Sequence, residues 1–340
     1  MIQKGMKKNI EIISQTQKTL QMKKILKRIL VLLIVGVVAL LLYVKLVLPN
    51  VGKPEEINIE RTAKRLDRGK YLATSVSVCM DCHSTRDWNK FSGPLVDGTL
   101  GKGGEVFNQK FGFPGVFYSK NITPAGIGNW TDGELLRAIA SGVNKSGKAL
   151  FPVMPHAHFG KMDREDVYSI IVYLRSLQPI ENQIPDSEPD FPMNFIINTI
   201  PLKAEFSKIP NKSDAVAYGS YLFNAASCSE CHSKQEKGKP IAGMELAGGF
   251  EFQMPTGGIV RSTNITQDKE TGIGNWSEED FVSRFKAYAD SSYVPNKIEK
   301  GTFNTVMPWM MYGKMEPEDL KAIFAYLKTI KPIKNNVVKF

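Results

Sequence analysis

One apolar run dominates the chain. Residues 29–48 read ILVLLIVGVVALLLYVKLVL, twenty positions with Lys45 as the one charge. At 1.5 Å per residue such a helix is about 30 Å long, enough to cross the hydrocarbon core of a bilayer. Further along, the pattern becomes amphipathic. Val167, Ile170, Ile171, Leu174 and Leu177 fall on one helical face, behind Asp163 as a cap with Asp166 near the third helical position. The stripe recurs as Leu320, Ile323, Phe324, Leu327 and Ile330, with Pro317 suited to the first turn. Thr131 with Glu134, and Ser277 with Asp280, form capping pairs that open two more helices. The glycine-rich stretches 98–104 and 243–258 read as loops, and no sustained alternation marks a strand. The pattern predicts an all-α protein behind an N-terminal transmembrane helix.

The outer portion is one unit written twice. Gly69-Lys-Tyr-Leu72 is answered by Gly219-Ser-Tyr-Leu222, and Asn121-Ile-Thr by Asn264-Ile-Thr. Gly126-Ile-Gly-Asn-Trp130 matches Gly272-Ile-Gly-Asn-Trp276, Val153-Met-Pro155 matches Val306-Met-Pro308, and Tyr173-Leu174 matches Tyr326-Leu327. The expected organisation is a basic segment at 1–28, the transmembrane anchor at 29–48 and a short polar tether at 49–60. Two tandem helical domains follow, at 61–178 and 214–340, joined by a proline-rich linker at 179–213. The apolar middle of that linker, 191–198, should pack on one or both domains.

Charge changes the picture once it is located. The net charge is +10, but residues 1–48 carry nine Lys or Arg and one Glu, leaving only +2 for the other 292 residues. No basic face for nucleic acid remains. Lys18, Lys23, Lys24, Lys27 and Arg28 precede the apolar run, so the positive-inside rule holds them in the cytoplasm. Lys45 can snorkel, and Tyr43 suits the membrane interface. No small-x-small cleavage site follows, so an uncleaved anchor is expected rather than a signal peptide. The chain is then a single-pass protein of a bacterial inner membrane with its bulk on the periplasmic side.

All four cysteines lie in two copies of Cys-x-x-Cys-His, Cys79 to His83 and Cys228 to His232. This is the pattern of covalent c-type haem attachment. Two thiols reach two vinyl groups on one porphyrin edge, and the adjacent histidine turns under the iron. A thioredoxin-like pair, a four-cysteine zinc site or two disulfides would leave the paired histidines unexplained. Two haem c groups are therefore expected, on Cys79, Cys82, Cys228 and Cys231, with His83 and His232 as axial ligands. Met154 and Met307 hold matching places in the repeat and are the candidates for the opposite sulfur ligands, which would raise the potentials. His156 and His158 compete for the first iron, but the second copy has no spare histidine, so both read as surface or propionate-side groups. Met310 and Met311 are alternatives in the second copy, while Met162 and Met315 match each other and read as packing. Trp130 and Trp276 either fill the core or donate an indole N–H to a haem propionate. Asn121 and Asn264 either brace the loop beside haem or make turns.

These motifs together resemble class I cytochrome c domains. They are most similar to those in the multihaem cytochrome c subunits of membrane-bound bacterial alcohol, aldose and gluconate dehydrogenases. The resemblance covers residues 61–340. It implies an all-α fold, His/Met haems and electron passage to quinone or a terminal oxidase. The chain departs from the pattern in carrying two haem motifs where those subunits commonly have three, and in its N-terminal anchor. Three functions follow. The first is a membrane-anchored dihaem carrier relaying single electrons between a periplasmic or membrane donor and an acceptor such as a terminal oxidase. It is not itself an enzyme. Its partners would be redox proteins: a dehydrogenase, a quinol-oxidising complex or an oxidase. The second is a dihaem peroxidase, which needs an open iron face and acid–base groups such as His156 or His158. The third is an obligate cytochrome subunit of a dehydrogenase or oxidase complex.

Overall fold

A computed structural model describes residues 2–236, 238–290 and 292–340. The chain divides into two compact units, 1–48 and 49–340. The first is a single helix, Ile2–Leu46. Within it Ile12–Leu46 is long and apolar enough to cross a membrane, and its apolar side chains are exposed all round. Its stretch 29–44 is apolar on every face and so has no soluble packing solution of its own.

The second unit holds both copies of the repeat. In each copy an opening helix crosses a closing helix. Ala63–Tyr71 is capped by Thr62, whose hydroxyl accepts from the Arg65 N–H at 3.2 Å. It packs on Arg164–Ser176, capped by Asp163. The second pair is Ala215–Ala225, capped by Asp214, packed on Pro317–Leu327. The crossings are so close that only glycine fits. A Cβ on Gly69 would lie 1.8 Å from the Ser169 carbonyl oxygen, and one on Gly219 would lie 1.8 Å from that of Ala322. A third helix in each copy, Asp132–Ser141 and Glu278–Lys286, begins with a full capping box, Thr131 with Glu134 and Ser277 with Asp280. The two apolar stripes seen in the sequence are buried except for Ile330, which is half-buried beyond the helix end, and one continuous core runs through both copies.

Three expectations need correction. The fold is mainly helical but not all-α. Val106–Phe107, Gly115–Tyr118 and Glu188–Pro189 form a small antiparallel sheet, Glu251–Gln253 pairs with Ile259–Arg261, and Gln235–Glu236 pairs with Lys239–Pro240. Ladders of two to four residues are too short to show alternation in a sequence. The two halves are not separate compact bodies either, because residues 49–340 form one unit. The tether is docked: Ile59 is buried, its N–H donates to Asp132 Oδ2 at 2.9 Å, and Glu55 pairs with Arg164 at 2.6 Å. The linker is fastened along the first half. Glu188–Pro189 is a strand of the first sheet, and Glu205 and Ser207 donate to the carbonyls of Gly160 and Met162.

The halves meet reciprocally. Helix Trp309–Tyr312 of the second packs on the turn Leu72–Val76 of the first, and His156–Phe159 of the first packs on Ala215–Ala225 of the second. Tyr71 Oη donates to Asp319 Oδ2 at 2.7 Å, while its counterpart Tyr221 donates to Asp166 Oδ2 at 2.6 Å. The same two hydroxyls accept the backbone N–H of Glu316 and Asp163. Arg68 grips Asp166 bidentately at 2.8 and 2.7 Å, and Tyr218, in the matching place, donates to Asp319 at 3.1 Å. Each closing helix thus satisfies its buried carboxylate from both halves.

Candidate cofactor-binding cavity

The two Cys-x-x-Cys-His motifs fold alike. Each is a single helical turn, Cys79–Cys82 and Cys228–His232, entered through a left-handed residue, Val78 (φ 41°) or Ser227 (φ 54°). A β-branched valine held there is strained, and strain of that kind gathers at functional turns.

Each histidine is aimed from the loop that carries the repeated Asn-Ile-Thr. His83 Nδ1 lies 2.6 Å from the Lys120 carbonyl, and His232 Nδ1 lies 2.8 Å from that of Thr263. A carbonyl only accepts, so Nδ1 carries the proton and Nε2 keeps its lone pair. Burial lowers the pKa of both rings, which keeps them neutral. The residue after each carbonyl is Asn121 or Asn264. Both are buried. Asn121 Oδ1 accepts from the Thr123 N–H and hydroxyl, and its amide donates to the Ile180 carbonyl. Asn264 does the same with Thr266 and Ile333. These asparagines therefore lock the loop that orients the histidine.

One cavity of about 2750 Å³ runs between these elements. Its wall includes both cysteine pairs, His83, His232, Met154 and Met307, together with Trp130, Trp276, Asn121 and Asn264. The structure brings all twelve sequence candidates to one space. Met162 and Met311 are buried off the cavity, while Met315 is buried against its wall. Burial pushes the Cys79, Cys82 and Cys228 thiols up to about 12, which disfavours thiolates for zinc or disulfide exchange. Among the described residues no three His, Cys, Asp or Glu side chains gather to hold a metal ion by themselves. An apolar cavity, neutral histidines with a free Nε2 and un-ionised thiols suit covalent haem.

His156 is not a surface group, and neither it nor His158 lines the cavity. His156 is 1% exposed, its ring fills the space a Cβ on Gly142 would need, and burial lowers its pKa to about 4. His158 crosses to the other half, with Nδ1 2.9 Å from Asn224 Oδ1 and Nε2 2.7 Å from Glu230 Oε1. Pro155 caps the short helix His156–Phe159 directly after Met154, and that helix carries these rings away from the cavity.

Sequence reasoning missed three groups. Asp81, inside the first motif, pairs with Arg86 at 2.8 Å, and Arg86 also pairs with Glu105 at 2.7 Å and lies 4.2 Å over the Trp88 ring. Burial pushes the Asp81 carboxyl up, against the pull of Arg86. Tyr312 is buried and donates to the Ala226 carbonyl at 2.8 Å, and burial raises its hydroxyl well above the ordinary tyrosine value. Ser92 of the first half donates to the Met307 carbonyl at 2.5 Å. The one visible signal was that Asp81 and Glu230 hold the same place in their motifs.

A cytochrome c family model matches residues 216–331. The chain is 26% identical over 284 residues to the cytochrome c subunit of a quinone-linked alcohol dehydrogenase from Gluconacetobacter polyoxogenes, covering 79% of this chain and 56% of that protein. It is 28% identical over 240 residues to a fructose dehydrogenase cytochrome subunit from Gluconobacter japonicus, covering 65% and 44%. It is 27% identical over 273 residues to a dihaem c-type cytochrome from Cereibacter sphaeroides, covering 75% and 82%. The chain spans little more than half the length of the alcohol dehydrogenase subunit. Residues 216–331 are a cytochrome c domain, and the homologues of the chain are cytochrome c subunits of dehydrogenases and a dihaem cytochrome c.

Proposed function

We propose that the chain is a membrane-anchored dihaem c-type cytochrome that relays single electrons between redox partners on the periplasmic side. The observation that carries this reading is the doubled wall of the cavity. Each half contributes a Cys-x-x-Cys-His turn, a carbonyl-oriented histidine and a methionine to it. Cys79 and Cys82 hold one haem and Cys228 and Cys231 the other. His83 and His232 give axial nitrogens, and Met154 and Met307 give the opposite sulfurs. Haem supplies the one-electron chemistry, and the protein supplies ligation, burial and orientation. Trp130 and Trp276 complete the wall, and Asn121 and Asn264 fix the loops behind the histidines. The two halves act as two cytochrome c modules, and the apolar helix keeps them at the inner membrane.

A second reading, the cytochrome subunit of a dehydrogenase complex, is favoured by the names of the relatives, which include alcohol and fructose dehydrogenase subunits. The chemistry within the chain is the same in both. A dihaem peroxidase loses its acid–base candidates, since His156 and His158 lie off the cavity. The deciding experiment is a redox titration of the full-length protein with optical and magnetic spectra. Two low-spin haems with sulfur ligation support the proposal. An iron without sulfur in both halves overturns it. Co-purification of a dehydrogenase in mild detergent selects the subunit reading.

A further inference from the structure

The loop that carries Met307 is held by a side chain from the other half. Ser92 is 2% exposed and left-handed at φ 62°, an unusual place for serine. Its hydroxyl donates to the Met307 carbonyl at 2.5 Å and accepts the Trp309 N–H at 3.4 Å. Pro308 between them has no N–H, so one hydroxyl engages the nearest backbone groups on both sides of that proline. The Ser92 N–H donates to Asn304 Oδ1 at 2.8 Å, and Asn304 is fully buried three residues before Met307. The surrounding turn adds to the grip. Phe91 donates to the Asn296 carbonyl at 2.8 Å, and the Asn89 carbonyl accepts from Ile298 at 2.7 Å. The Phe91 ring stacks on Tyr288, which stacks on Trp309.

We infer that Ser92 is a positioning residue for the Met307 sulfur, so that ligation at the second iron is set by a side chain of the first half. The inference rests on the reading of Met307 as an axial ligand. A thioether is a neutral ligand with no charge to hold it to iron, so its occupancy depends on how firmly its loop is placed. A strained backbone angle at the residue whose hydroxyl does the placing is a cost retained for that purpose.

The test uses the full-length, haem-loaded protein in detergent. Ser92→Gly removes the hydroxyl and suits the positive φ; Ser92→Ala removes it while keeping Cβ. Met307→Ala identifies which redox wave and which ferric iron–sulfur absorption band belong to the second haem. Both Ser92 variants should lower the potential of that wave alone, weaken that band, and raise the carbon monoxide affinity of one reduced haem per chain about tenfold. If Met307→Ala leaves spectra and potentials unchanged, the ligand reading itself fails. If Met307→Ala acts but both Ser92 variants keep wild-type potentials, band and carbon monoxide binding, only the positioning role fails. Loss of thermal stability with both waves unmoved, or a shift confined to the other wave, also overturns it.

Discussion

The Tyr71 hydroxyl donates to the Asp319 carboxylate at 2.7 Å across the boundary between the two halves. Tyr221 returns the bond to Asp166 at 2.6 Å. Hydrogen bonds to charged groups are worth about 1.5–3 kcal/mol when buried. Tyr71→Phe and Tyr221→Phe should each lower stability by about that amount in denaturant titration of the holoprotein. Asp319 keeps Tyr218 and Asp166 keeps Arg68, so neither carboxylate is stranded outright. A loss below ~0.5 kcal/mol for both would show that the boundary is held by apolar packing alone.

The same pair makes the protein sensitive to alkali. Burial, then Asp319 for Tyr71 and Asp166 for Tyr221, raises both hydroxyls well above the ordinary tyrosine value of 10.0. Tyr218 and Lys212 also face the Asp319 site, and Arg68 faces Asp166. The folded chain keeps protons that the unfolded chain releases above pH 10. This stabilising contribution is fully present below pH 10 and is lost as pH rises beyond it. The denaturation midpoint should fall from there upward, and the double Phe variant should fall less steeply. Equal slopes would remove these tyrosines from the account.

Gly69→Ala and Gly219→Ala should each cost about 3 kcal/mol or more, because the added methyl would overlap a backbone carbonyl of the closing helix. Thermal melts and covalent haem content would both report it. Normal haem loading with an unchanged melt would mean the helices can part freely.

Arg86 holds two carboxylates in a nearly dry site, Asp81 and Glu105. Arg86→Met leaves Asp81 without its partner and Glu105 with only the Trp88 indole N–H at 3.3 Å, and should destabilise by about 3–5 kcal/mol. Adding Asp81→Asn and Glu105→Gln to that variant should recover much of the loss, measured in the same titration.

Replacing Cys228 and Cys231 with serine should halve the covalently bound haem, and so should replacing Cys79 and Cys82. Pyridine haemochrome spectra against protein concentration would check this. An undiminished yield would detach that motif from haem.

Much of the architecture was legible because it depends on local chemistry. The capping boxes at Thr131 and Ser277 and the stripes from Val167 and Leu320 are short-range patterns, and the structure contains them where expected. The repeat alone brings the cavity residues into register. What could not be read depends on contacts between distant segments. His156 and His158 looked like exposed polar residues, yet one is core and the other a strap to Glu230. Ile59 looked like part of a free tether until Asp132 took its N–H. Ser92 carried no sequence signal, because its role is defined by a loop more than two hundred positions away.

The crossed tyrosines also bear on how the duplicated chain can be taken apart. Each closing helix presents an acid that the opposite copy's tyrosine reaches from outside its own bundle, so the copies are no longer independent bricks. A protease that nicks the proline-rich connector should yield two pieces that still elute from a sizing column as one.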